Sequence, residues 1–194
     1  MKTLAHAVTI ALPLLLAVRA APAAAQVPPN GFVVRHETRI DAALARVYDA
    51  LVAEIGEWWN PEHTFSGDAR NLSLDDRPGG CLCEELAGGG GVEHLRVVYV
   101  DPPRVLRLSG ALGPLQGSAL VGTLTWTLAE ADGGTRLELT YAVGGFLEGG
   151  FEGVAPAVKS VLAGQMSRLK RYVETGKPEA PSSPGSPDRT RSGR

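Results

Sequence analysis

His94 and Arg96 stand two residues apart in Val92 to Val100, a stretch that reads as a strand, so their side chains share one face. On a cavity wall His94 could act as a general acid or base near neutral pH, and Arg96 could anchor a carboxylate or an enolate. Glu84 and Glu85 are adjacent on a neighbouring strand, so one points inward and the other outward. A buried carboxyl there could serve as an acid of raised pKa. These four residues are the candidate set for proton-transfer chemistry such as cyclisation or dehydration. Leu95, Val97 and Tyr99 form a competing apolar face. Burying that face sends His94 and Arg96 into water, and this is the expected arrangement. No catalytic set is assigned with those residues in solvent.

Other reactive side chains are few. Cys81 and Cys83 are the only cysteines, and they share a strand face. Two free or core-facing thiols are expected ahead of a disulfide, because residues two apart on a strand sit near the limit of bridging distance. A metal site with His36, His63 or His94 matches no strong zinc spacing, and no metal or other cofactor is expected. Gly88 to Gly91 lacks the Lys-Ser/Thr of a phosphate loop and reads as a hairpin connection. There is no Ser-His-Asp or dinucleotide pattern.

Residues suited to holding an apolar ligand are better represented. Trp58 and Trp59 cannot both face the core from one helix; one packs inward while the other lines a cavity mouth, or both close the end of the sheet. Trp126, Tyr141, Gln165 and Met166 are expected to face the space between sheet and helix. Gln165 would orient a ligand there, or bond to water or backbone. Phe151 joins Phe146 and Leu147 on a connection flanked by Gly144-Gly145 and Gly149-Gly150, which is either a lid or an irregular link.

The elements that must position these residues follow from periodicity. Leu120, Gly122, Leu124, Trp126 and Leu128 alternate with Val121, Thr123, Thr125 and Thr127. After Ala131-Asp132-Gly133-Gly134, the run Leu137, Leu139, Tyr141 and Val143 repeats the alternation, which predicts an antiparallel hairpin. From Val154 to Val173 the apolar residues recur every three or four positions, which predicts a long amphipathic helix stopped at Gly176. Phe32 to Ile40 is a first strand, followed by a helix over about Ala42 to Ile55, capped by Asp41 and interrupted at Gly56. A second short helix or turn covers Glu57 to Pro61. Leu72 to Asp75 with Cys81 to Leu86, and Val92 to Val100 with Val105 to Gly110, supply further strands. A twisted antiparallel sheet curls, and one helix cannot fill its concave side, so a cavity is expected between them.

Both ends differ from this core. Lys2, the apolar Ala5 to Val18 and Ala23-Ala24-Ala25 make residues 1–25 an expected secretory signal, placing the protein in the periplasm or outside the cell. No membrane span is expected once the signal is removed. Residues 177–194 are Pro, Ser, Gly and charge, the composition of a disordered tail. Between them, residues 26–176 carry 13 Lys and Arg against 19 Asp and Glu, which argues against nucleic acid as a partner.

Arg46-Val47-Tyr48-Asp49-Ala50-Leu51, Trp58-Trp59-Asn60-Pro61, Arg77-Pro78-Gly79-Gly80, the Tyr99-to-Arg104 turn and the terminal helix occur in an order that resembles the START-like (SRPBCC) superfamily. The resemblance runs from Val33 to Gly176 and is closest to the heat-shock ATPase activator-like and polyketide cyclase-like branch. It implies an α+β helix-grip fold: a curved antiparallel sheet of about six or seven strands on a long C-terminal helix, with two short helices after the first strand. It implies no single chemistry, since the fold hosts binders, cyclases and regulators. A chaperone-activating role needs ATP and a cytosolic partner, which an exported chain does not meet. The expected function is an exported binder or carrier of a small apolar or amphipathic molecule, acting as a monomer or weak dimer. The alternatives are a cyclase or dehydratase using the same cavity, and a protein-interaction module whose cavity has collapsed.

Overall fold

The hairpin read from alternating residues is the spine of the structure, a computed structural model that describes residues 30–180. The expected signal at 1–25 and the tail from 181 onward lie outside the described residues. Strand β6 (Ala119–Ala131) pairs with β7 (Gly134–Phe146) across Asp132 and Gly133, both with positive φ, which is the geometry of a two-residue hairpin turn. The inward set Leu124, Trp126, Leu128, Leu137, Leu139, Tyr141 and Val143 is buried, while Val121 and Thr123 face solvent. Gly122 is required here, because a Cβ would lie 2.7 Å from the Tyr141 ring.

Strands β2 (Leu72–Leu74), β3 (Cys81–Leu86), β4 (Gly90–Asp101) and β5 (Val105–Ser109) precede that hairpin, and β1 (Gly31–Ile40) pairs with β7. The result is one seven-stranded antiparallel sheet in the order β1-β7-β6-β5-β4-β3-β2. Helices α1 (Leu44–Ala53) and α2 (Ile55–Trp58) carry the chain from one edge strand to the other. They bury Val47, Leu51, Ile55 and Trp58 in the core. Helix α3 (Val154–Thr175) then lies across the concave side, ending at Gly176 with φ +75° and its N–H on the Tyr172 carbonyl. This is the α+β helix-grip architecture.

Three local expectations are corrected. Asp41 does not cap α1: its side chain pairs with Arg39, its N–H donates to Glu174 on α3, and Ala43 is the extended residue before the helix. Gly56 does not interrupt the helical run. The break falls at Glu54, and Gly56 lies inside α2, where a Cβ would meet the Ala69 carbonyl oxygen at 3.0 Å. Cys81 and Cys83 are joined by a disulfide rather than remaining thiols. An ideal strand holds residues two apart at about 6.6 Å. Here the pairing shifts after Leu82, the two Cα atoms are 5.4 Å apart, and a bridge fits.

Helix α3 is held most tightly from its middle onward, where Leu162, Met166 and Leu169 are buried. Truncation of Leu169 to Ala should cost about 2–5 kcal/mol of stability. Urea unfolding should show a lowered midpoint for Leu169→Ala, whereas Lys159→Ala on the exposed face should stay within about 0.5 kcal/mol of the parent.

Candidate functional site

The N-terminal half of α3 meets the sheet at β1, where the Lys159 carbonyl lies 2.9 Å from His36 Nε2, and stands away from strands β3 and β4. Val154, Val158 and Val161 are only half-buried, and between them and strands β3 and β4 lies a cavity of about 480 Å³. Leu72, Leu82, Leu112, Leu115, Leu147 and Leu162 line it together with the three valines, and its surface is mostly apolar. Its size falls within the range of pockets that take drug-sized ligands. Phe65 lines it yet remains 54% exposed, which places that ring at the mouth.

His94 is part of the same wall and is 4% exposed, contrary to the expectation that it faces water. The reason is a bulge. Leu82 pairs with Leu95 and Cys83 with Glu93, so His94 is an extra residue with no partner on β3. An inserted residue resets the two-residue alternation, and His94 and Leu95 both turn inward. A second irregularity between Val97 and Tyr99 returns Tyr99 to the outer face, where it is 46% exposed.

Behind His94 stands Glu84, buried on β3. His94 Nε2 lies 2.9 Å from Glu84 Oε2, which also accepts the Phe65 N–H at 3.0 Å, and Oε1 accepts the Ser66 N–H. Burial pushes the Glu84 carboxyl up, but hydrogen bonds from Ser66, Phe65 and His94 outweigh it and hold the group below the ordinary glutamate value. The carboxylate is therefore ionised at neutral pH. An anion only accepts, so Nε2 carries the proton and donates it. His94 Nδ1 is buried without a partner among the described residues. The Phe65 ring stacks on the imidazole at 5.8 Å between centroids. Glu84 thus anchors the loop that bears Phe65 and orients His94 together.

The remaining candidates are distributed differently. Glu85 and Arg96 are exposed; Arg96 pairs with Glu93 and donates to the Gly79 carbonyl at 2.9 Å, so neither joins Glu84 and His94. Trp59 lines the cavity, its indole N–H bonded to the His63 carbonyl at 3.1 Å. Trp58 is fully buried with its N–H on the Ala50 carbonyl at 2.8 Å. It shares only a tight void of about 10 Å³ with Trp126. Tyr141 is buried and pins a loop: its hydroxyl accepts the Leu112 N–H at 2.9 Å and donates to the Gly110 carbonyl at 3.2 Å. Phe151 packs edge-on against Phe32, and Met166 is in the core. Gln165 accepts the Asn60 N–H at 3.0 Å and borders an open groove on the other side of α3. Arg168, also from α3, donates to the Trp58 carbonyl at 2.8 Å and to Glu179 at 3.1 Å. Among the described residues no cluster of His, Cys, Asp and Glu could hold a metal ion, and no helix is long and apolar enough to cross a membrane.

Phe65, Leu112 and Leu115 were not legible as wall residues, because they lie on irregular connections without a period; Leu147, on the connection read as a lid or an irregular link, does line the cavity. The one-turn 3₁₀ helix Gly113–Gly117 that presents Leu115 has Pro114 in its first turn, the only local signal available.

The model of the family described as polyketide cyclase / dehydrase and lipid transport matches residues 32–174. This chain belongs to that family. Family membership accords with the architecture and suggests a ligand-binding protein. No curated protein matches the sequence. Among solved structures, Aha1 of Colwellia psychrerythraea, a dimer in solution, is 18% identical over 75% of this chain and 98% of its own, with a TM-score of 0.55. CalU16 of Micromonospora echinospora is 20% identical over 75% and 78%, with a TM-score of 0.52. DynU16, from the dynemicin biosynthetic locus, is 22% identical with a TM-score of 0.55; the match spans 75% of this chain and 48% of that one. These likenesses are of fold.

Two results should follow from the anchoring. A carboxylate held below its unfolded value contributes stability that is present above about pH 4.3 and lost as the pH falls through the folded value. Urea unfolding between pH 6 and 3 should therefore show a shallower acid loss for Glu84→Gln than for the parent. Tyr141→Phe removes the acceptor of the part-buried Leu112 N–H and should cost about 1–3 kcal/mol, with faster amide exchange at Leu112.

Proposed function

We propose that this protein is an exported binding or carrier protein for a small apolar or amphipathic molecule held between the sheet and α3. The observation that carries the reading is the apolar cavity of about 480 Å³ beneath the half-buried start of α3. The family's lipid-transport membership supports it. The Cys81–Cys83 disulfide supports export, because such bonds persist in oxidising compartments, and the sequence of residues 1–25 has the order of a secretory signal. Its partner is the small molecule, and the acidic balance of the core speaks against nucleic acid. The open cavity favours this reading over a module with a collapsed cavity.

The buried Glu84–His94 pair favours a second reading, an acid–base enzyme in the same cavity. Arg96 and Glu85 are outside, so that reading lacks the cation it needs to stabilise developing negative charge. Binding is therefore the better supported function.

Protein recovered from its own host's envelope should begin at Gln26 and carry a bound small molecule in native mass spectrometry. The double variant Val158→Trp, Val161→Trp, with unchanged circular dichroism, should lose that added mass. Parent protein that is empty under several growth conditions would overturn the carrier reading, and an intact Met1 in the cytosolic fraction would overturn export.

A further inference from the structure

We infer that His94 Nδ1 is the hydrogen-bond acceptor the cavity presents to its ligand, and that the ligand is an apolar body bearing one weakly acidic hydroxyl, phenolic or enolic. This deepens the binding reading and rests on it. Three observations define the acceptor. The Nε2 side of the ring is taken by Glu84, which stands behind the wall rather than on it. One ring face is covered by Phe65. Nδ1 is buried in a residue 4% exposed and has no partner among the described residues.

In the imidazole form of the ring, with the proton on Nε2 given to Glu84, Nδ1 is left as a bare lone pair. An acceptor buried without a donor is costly, and a ligand that brings a donor recovers that cost. The ionised carboxylate polarises the imidazole and strengthens it as an acceptor. Most of the cavity's lining, Leu82, Leu115, Val158 and Leu162 among it, offers nothing to a second polar group. That disfavours ligands with many polar atoms. It also favours a phenol or enol over an aliphatic alcohol, because conjugation makes the oxygen a weaker acceptor and less costly to leave unpaired. A carboxylate would bring a second anion towards Glu84 and is disfavoured.

The test uses the full chain and two probes of one shape, 1-hydroxypyrene and 1-methoxypyrene, titrated by fluorescence at neutral pH. The parent should bind the hydroxyl probe about tenfold tighter than its methyl ether, the worth of one buried hydrogen bond. His94→Phe should bind the two alike. If that variant does not fold, the parent comparison still decides, together with ¹⁵N NMR of His94. The hydroxyl probe should move the Nδ1 resonance and leave Nε2 nearly in place. Equal affinity of the parent for both probes overturns the hydroxyl inference and leaves the cavity reading standing. Failure of both probes to bind overturns the cavity reading itself.

Discussion

One helix has to cover the concave side of seven strands, and it is too narrow to do so. A helix of 22 residues is about 33 Å long and about 10 Å wide, whereas seven strands span about 30 Å across. Residues of α1 and α2 close one end, with Leu51, Ile55 and Trp58 sealed beside the C-terminal half of α3. The other end stays hollow under Val154, Val158 and Val161. Leaving it hollow forgoes the stabilisation that filling would bring, of the order of 25 cal/mol per Å² of apolar surface. A small apolar guest would restore that burial. The affinity of the site thus comes from the same mismatch of areas that shapes the domain.

On the strand side of the hollow the polar group is His94, and a single inserted residue puts it there. Without the bulge on β4, a regular strand would bury either the His94 face or the Leu95 face. With it, both point inward and Arg96 remains outside. Glu84 then becomes the hub of the wall, accepting from Phe65, Ser66 and His94 at once. Burying that carboxylate is tolerable because it is so fully bonded. Tyr141 and Arg168 play comparable supporting parts, the first pinning the loop that carries Leu112 and the second tying α3 to the Trp58–Trp59 corner.

The sequence was most informative where a period ran undisturbed. Strands β6 and β7 alternate over their whole shared length, and α3 keeps one stripe from Val154 to Val173. The order of motifs from Arg46 to the terminal helix pointed to the family that residues 32–174 match. Periodicity failed at β4, because a bulge is a property of pairing with β3 and leaves no mark in the strand's own residues. The same shift brought Cys81 and Cys83 within bridging distance. Glu84 and Glu85 could be divided into one inward and one outward residue, but not which was which. Aromatic residues misled for another reason. Trp126, Tyr141 and Phe151 do face inward, yet the interior has a packed end and an open end, and alternation alone does not distinguish them.

A crystal structure of the protein taken from its host's envelope without added ligand would test the account most directly. The account predicts continuous density, not explicable as water, in the hollow beneath Val158, with one polar atom within hydrogen-bonding distance of His94 Nδ1. A hollow closed by Leu115, Leu147 and α3 packing against β3 would contradict it.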